Sequence, residues 1–248
     1  MVTTRTNNPA QLNHILILSE NPQTLSNFYR DALGMTISKS KDLLLCEAPQ
    51  RRVLIGQGAS HELGYAAFTF RDASGLASFR EMLRATKTPA RPSPSSIFGS
   101  EALAVMDPDN NVLVFGLPPS GDSPISDSPD ARLQHFAITT TQLEEMFEFY
   151  THTLGFKSPD TVKDEQGAMR AFFVNSDEEH HSIGIFKASE ARIDHHAYDV
   201  VDWNAIRDWA DHMARLDIQM QWGPGRHGPG NNLFFMVHDS DDNKVEFS

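Results

Sequence analysis

The sequence predicts an α+β fold of two tandem domains, each holding about two βαβββ units' worth of strands in mixed sheets curled around a cleft. Three observations predict it. The chain repeats itself, its apolar runs are mostly short and strand-like, and a Pro-, Ser- and Asp-rich stretch divides its 248 residues near the middle.

The first half opens on the β-prone run Leu12-Asn13-His14-Ile15-Leu16-Ile17, and the second on Leu133-Gln134-His135-Phe136-Ala137-Ile138. A helix follows in each, with apolar residues at i, i+3 and i+4. Phe28-Tyr29-Arg30-Asp31-Ala32-Leu33-Gly34-Met35 matches Phe149-Tyr150-Thr151-His152-Thr153-Leu154-Gly155-Phe156 without a gap, and a glycine closes each helix. Short strands are expected at Val53–Ile55, Tyr65–Phe70 and Ala102–Met106, then at Met169–Val174, Ser182–Phe186 and Leu233–Val237. Second helices are expected at Gly75–Ala85 and Trp203–Leu216. Each half closes on a polar turn leading into a strand, Asp107–Phe115 and Asp239–Phe247. The division is therefore a domain over 1–118, a linker over 119–130 and a second domain over 131–248.

Composition removes several classes of function. Lys and Arg number 21 against 33 Asp and Glu, for a net charge of -12, which disfavours any surface that tracks phosphates, so nucleic acid is not an expected partner. No apolar run approaches the roughly 18 residues of a membrane span, and Met1–Asn8 is polar and carries no targeting signal, so no membrane association is expected and a cytoplasmic location is. The single cysteine, Cys46, excludes an internal disulfide and a cysteine-based metal site and suits a reducing compartment.

The 11 histidines carry more information than their number. His135 lies in the first strand of the second half, His195 opens the strand Ala197-Tyr198-Asp199-Val200, and Glu246 lies in the last strand. Two imidazoles and a carboxylate on separate strands can converge on one face of a sheet with metal positions left open, a set that suits divalent iron. Taken singly, a strand histidine is more often a half-buried residue bonded to backbone. The repeat supplies a control: where the second half has His195 and Glu246, the first has Tyr65 and Val114, and only His14 is kept. Loss of a ligand set from one copy fits a single site in the other.

These features, with the run Trp222-Gly223-Pro224-Gly225-Arg226-His227-Gly228-Pro229-Gly230-Asn231-Asn232 and the closing Asp239-x-Asp241-x-Asn243-x-Val245-Glu246, resemble the type I extradiol ring-cleavage dioxygenases of the vicinal oxygen chelate (glyoxalase/bleomycin-resistance/dioxygenase) superfamily. The resemblance runs from Gln11 onward and is most specific in the second half. It implies domains of paired βαβββ modules and an Fe(II) site, with Mn(II) as the lesser alternative, held by His135, His195 and Glu246. The first domain lacks that ligand set, and the second is catalytic. The implied reaction inserts both atoms of O2 into a catechol, of 2,3-dihydroxybiphenyl or fused-ring type, to give a ring-opened semialdehyde or keto acid. The implied partners are the catechol and O2, in a homo-oligomer.

The resemblance also assigns His181 as the acid–base group, a task suited to an imidazole with its ordinary pKa near 6.5. Strand alternation should send His180 and His181 to opposite faces, leaving one for the site. His227 is implied to be a second catalytic group that hydrogen-bonds the substrate. Trp222, Phe172, Phe186 and Phe234 are candidates to line an aromatic pocket. Met236 stands where the family places a tyrosine that donates to the substrate oxygen, and a thioether cannot donate. The sequence ends two residues after Glu246, where the family continues into an extension over the cleft, so the expectation is an unusually open site, closure by another subunit or loop, or a sequence cut short of that extension. The competing readings are a metal-dependent isomerase or epimerase on the same fold, and a protein that binds an aromatic compound without catalysis.

Overall fold

The computed structural model describes residues 9–121 and 123–248. Met1–Asn8, read above for a targeting signal, and Asp122 of the expected linker lie outside the described residues. Four modules of the form βαβββ follow one another. The first is β1 (Ala10–Ser19), α1 (Pro22–Leu33), β2 (Thr36–Ser40), β3 (Leu43–Ala48) and β4 (Arg51–Gln57), and the second is β5 (Leu63–Phe70), α2 (Ala73–Ala85), β6 (Arg91–Pro92), β7 (Leu103–Met106) and β8 (Val112–Gly116). The third is β9 (Arg132–Thr140), α3 (Leu143–Glu148, continued by a π-helical turn over Phe149–Thr153), β10 (Lys157–Lys163), β11 (Met169–Asn175) and β12 (Ile183–Lys187). The fourth is β13 (Arg192–Asp199), α4 (Trp203–Arg215), β14 (Met220–Arg226), β15 (Leu233–His238) and β16 (Lys244–Phe247).

The modules form two eight-stranded mixed sheets of one design, ordered β2-β3-β4-β1-β5-β8-β7-β6 and β10-β11-β12-β9-β13-β16-β15-β14. Parallel pairing of β5 with β8 sets Ala67 opposite Val114, and parallel pairing of β13 with β16 sets Ala197 opposite Glu246, so the repeat read from the sequence holds residue by residue. No helix among the described residues is long and apolar enough to cross a membrane.

Local sequence explains the helices. Asn21 caps α1 by accepting from the Thr24 N–H at 3.2 Å, Pro22 occupies the first turn, and Gly34 ends the helix at φ 62°. Asp72 and Asp202 cap α2 and α4 in the same way, each at 3.0 Å. Burial follows helical spacing, through Leu25, Tyr29 and Leu33 in α1 and Ile206, Trp209 and Met213 in α4.

Two compact units result, and each draws one module from each half of the sequence. Among the described residues, one contains Pro9–Asn13, Tyr65–Ser120 and Ala137–Arg192, and the other His14–Gly64, Gly121, Ser123–Phe136 and Ile193–Ser248. Each is joined by the same polar bond between repeated motifs. In the first unit the buried Tyr150 hydroxyl donates to Asp107 at 2.9 Å, and in the second the buried Tyr29 hydroxyl donates to Asp239 at 3.2 Å. Burial, only partly offset by hydrogen bonds from Asn111 and Asn243, pushes each carboxyl up to about 6. In the second unit the expected linker is pinned. Arg51 donates to the Pro129 carbonyl at 3.0 Å and Ser128 Oγ at 3.2 Å while lying over the Trp209 ring, whose indole N–H reaches the Asp130 carbonyl at 3.1 Å.

Several elements differ from expectation. The glycine-rich run at Trp222 begins as edge strand β14, paired antiparallel with β15 across two register shifts around the cis Gly223–Pro224 bond. Strands β2, β3 and β10 were not among the expected runs. His180 and His181 lie in the loop before β12, which starts at Ile183, so alternation along a strand does not separate them.

Candidate metal centre

Within the second compact unit, β9 presents His135, β13 presents His195 and β16 presents Glu246. Their ligand atoms all lie within 4.8 Å of one another and all three residues are buried. Register explains the convergence. Glu246 faces Ala197, two residues beyond His195 on the same side of β13, so carboxylate and imidazole are diagonal neighbours across a residue too small to part them. The Nε2 atoms of His135 and His195 are 3.3 Å apart with the rings edge to face, and His195 Nε2 is 3.7 Å from Glu246 Oε2.

The outer nitrogens decide the proton positions. His135 Nδ1 meets Gln134 Oε1 at 3.1 Å, and His195 Nδ1 meets Asp194 Oδ2 at 2.7 Å. Each oxygen accepts, so each Nδ1 carries the hydrogen and each Nε2 turns a lone pair inward. Glu246 Oε2 is buried with no hydrogen-bond partner. Two lone pairs and an orphaned carboxylate oxygen facing one another are unfavourable unless a cation lies among them, so the donor set fits a divalent metal. Two imidazole nitrogens and one carboxylate oxygen are a donor set that would hold iron or manganese.

The surroundings extend the face outward. His227 Nε2 lies 3.3 Å from Glu246 Oε1, and its ring stacks on Phe234 with centroids 3.6 Å apart and planes at 8°. Met236 pairs with Glu246 on one side and Trp222 on the other, so the three residues form a row across β16, β15 and β14 with side chains on one face. Met236 is buried, while Trp222, against Phe234 at 4.6 Å and His227 at 5.6 Å, is 55% exposed.

Beside the ligands, His196 is fully buried and directed away from them, its Nε2 3.1 Å from the Tyr29 hydroxyl. Burial first, then the adjacent His195 imidazole, which disfavours a second positive charge beside it, holds its pKa down to about 3. His14, the histidine kept in the first half, is likewise buried and held at about 3, by burial and then by Arg52. Tyr65 and Val114 are buried too, and neither brings a metal donor comparable to His195 or Glu246.

Three other expected site residues, His181, Phe172 and Phe186, lie in the first compact unit. His181 rests on Phe173, with ring centroids 5.0 Å apart, and its Nδ1 is 2.9 Å from His180 Nδ1. His180 is held through Nε2 by Asp160 at 2.9 Å. Phe172 is fully buried against Phe147, whereas its neighbour Phe173 turns to the opposite side of β11, where His181 and Phe186 lie. Sequence reasoning missed Phe173, Gln134, Asp194 and Lys244. The signal for Gln134 and Asp194 was their place immediately before a ligand.

Paired βαβββ modules carrying a buried two-histidine, one-carboxylate cluster are the arrangement that the resemblance to the vicinal oxygen chelate superfamily implies. Comparison with known proteins agrees: residues 132–247 match the Glyoxalase/Bleomycin resistance protein/Dioxygenase superfamily. The chain is 26% identical over 246 residues to metapyrocatechase 2 of Cupriavidus necator, covering 89% of this chain and 75% of that one. It is 28% identical over 112 residues to the manganese-dependent 2,3-dihydroxybiphenyl 1,2-dioxygenase of Geobacillus genomosp. 3, covering 44% and 36%. It shares its fold with homoprotocatechuate 2,3-dioxygenase of Brevibacterium fuscum, at a TM-score of 0.80 and 19% identity over 96% of this chain and 71% of that one.

Proposed function

We propose that the protein is an extradiol dioxygenase that uses Fe(II), or Mn(II) as the alternative, to open the ring of a substituted or fused-ring catechol with both atoms of O2. The observation that carries the reading is the orphaned Glu246 Oε2 buried against the inward-facing Nε2 atoms of His135 and His195. When bound, the metal supplies a Lewis acid with coordination positions open to a chelating catechol and to dioxygen.

The chain's own groups then have separate tasks. His135, His195 and Glu246 hold the ion. His227 steadies Glu246 Oε1 and stands at the mouth of the ligand face, placed to hydrogen-bond a substrate oxygen. His181, steadied by Phe173 and by His180, takes the catechol proton and returns it to the product oxygen. Trp222 and Met236, with Phe234 beside them, extend from Glu246 as an aromatic and thioether surface on which an apolar ring substituent can rest. Phe173 replaces Phe172 as the β11 aromatic on the His181 side. The first half of the chain supports this site and, among the described residues, gathers no such cluster of its own, and the enzyme works in the cytoplasm as a homo-oligomer.

The test is anaerobic loading with Fe(II) or Mn(II), followed by 2,3-dihydroxybiphenyl in air. The expected result is oxygen uptake and a yellow ring-opened product. Absence of oxygen uptake across a broad panel of catechols overturns the reading. Met236, which removes a donor from the ligand face, favours a second reading in that event: metal-dependent isomerisation or epimerisation without oxygen.

A further inference from the structure

We infer that Asp194 and Lys244 form a positioning pair that sets the His195 imidazole for the metal, a role resting on the metal-site reading above. Lys244 Nζ donates to Asp194 Oδ1 at 3.0 Å, and Asp194 Oδ2 accepts from His195 Nδ1 at 2.7 Å. The carboxylate thus spends one oxygen on the lysine and the other on the ligand ring. Strand register builds the relay: β13 and β16 run parallel with His195 directly opposite Lys244, which places the lysine beside the ligand two residues before Glu246.

The physical effect has three parts. A carboxylate acceptor holds the proton on Nδ1 and so keeps the Nε2 lone pair free. The short bond fixes the rotation of the ring. The negative charge also raises the donor strength of the imidazole. Lys244 keeps the carboxylate in this orientation. The two histidine ligands are therefore unequal, since His135 leans on the neutral amide oxygen of Gln134 at 3.1 Å, and His195 is the stronger donor.

The internal repeat separates this role from a structural one. With His195 matched to Tyr65 and Glu246 to Val114, Gly64 stands in the place of Asp194 and Val112 in that of Lys244. Groups that hold the fold occur in both copies: Asp107 and Asp239, Asn111 and Asn243, Tyr150 and Tyr29. Asp194 and Lys244 occur only where the ligands do. A pair that merely tied two strands together would have no reason to follow the ligand set.

The experiment measures Mn(II) affinity by chelator competition, the visible spectrum of the Co(II) form, and melting of the metal-free protein, for the unaltered chain and for Asp194→Ala, Asp194→Asn and Lys244→Met. Asp194→Ala is expected to weaken Mn(II) binding about 10- to 100-fold and to shift the Co(II) bands, with metal-free melting unchanged. Lys244→Met weakens binding less. Asp194→Asn recovers part of the affinity, because its amide oxygen still accepts from Nδ1–H. Affinity of Asp194→Ala within about twofold of the unaltered chain overturns the inference, as does a loss matched by destabilised metal-free protein with no recovery in Asp194→Asn. An unaltered chain that binds neither ion at one per chain overturns the metal-site reading itself.

Discussion

In β8, Val114 faces Ala67 across a parallel pair; in β16, Glu246 faces Ala197 in the same register. Strand order, the aspartate caps of α2 and α4 and the buried Tyr–Asp bond recur in both copies, so the scaffold places no requirement for a carboxylate or an imidazole at these positions. What differs is a small set around one cluster: His195 against Tyr65, Glu246 against Val114, Asp194 against Gly64 and Lys244 against Val112. The difference teaches how to read a duplicated chain. Of the three clustered residues only His135 has a counterpart, His14; the two polar residues buried in one copy alone, His195 and Glu246, carry a cost nothing in the scaffold offsets and support a site in that copy.

The largest expected effect breaks the comparison at its centre. His195→Ala loses metal at stoichiometric loading and with it oxygen uptake, whereas Tyr65→Phe, at the matching place in the first copy, retains both; metal analysis of the two purified variants checks this. Next, His181→Phe keeps metal and catechol binding but slows oxygen-dependent turnover by about 10²- to 10⁴-fold, the range for removing a general acid–base group. Loss of metal equal to that in His195→Ala would refute the assignment. Met236→Tyr restores a donor beside Glu246 and is expected to raise turnover of simple catechols by about tenfold or more. Unchanged turnover would show that the site meets the need in another way.

Smaller effects test the shared scaffold. Tyr29→Phe and Tyr150→Phe each remove a buried hydrogen bond and should cost about 1 kcal/mol, lowering the melting temperature by about 2–4 °C in either copy. A large effect in one copy alone would break the equivalence. Asp107 and Asp239 have folded pKa values raised from 3.8 to about 6, so the folded chain binds more protons than the unfolded one between those values. Stability from each group therefore falls as pH rises from about 4 to about 6. Asp107→Asn should flatten that part of the melting-temperature profile.

Much of this was legible in the sequence because the informative residues sit in patterned positions. His135, His195 and Glu246 stand in strands that the repeat itself marks, and the Tyr29/Tyr150 and Asp107/Asp239 motifs were visible as repeats. Their use was not, because each tyrosine bonds to the aspartate of a module far away in sequence, which makes the compact units cross the sequence halves. Strand β2 was hidden by its polar, half-exposed run Thr36-Ile37-Ser38-Lys39-Ser40, and β14 by the Gly223-Pro224-Gly225 segment that shifts its register. Phe172 and Phe173 are chemically alike, and only the pleat shows which of them turns toward His181. Asp194 looked like one acid among many until its distance to His195 was known.

The central claim is one metal site per chain, in the second copy and absent from the first. Anomalous diffraction from crystals grown with Mn(II) or Fe(II) tests it most directly. The account predicts a single strong peak per chain, about 2.0–2.2 Å from Nε2 of His135, Nε2 of His195 and an oxygen of Glu246. A peak near His14, Tyr65 and Val114, or none at the His135, His195 and Glu246 cluster, would contradict it.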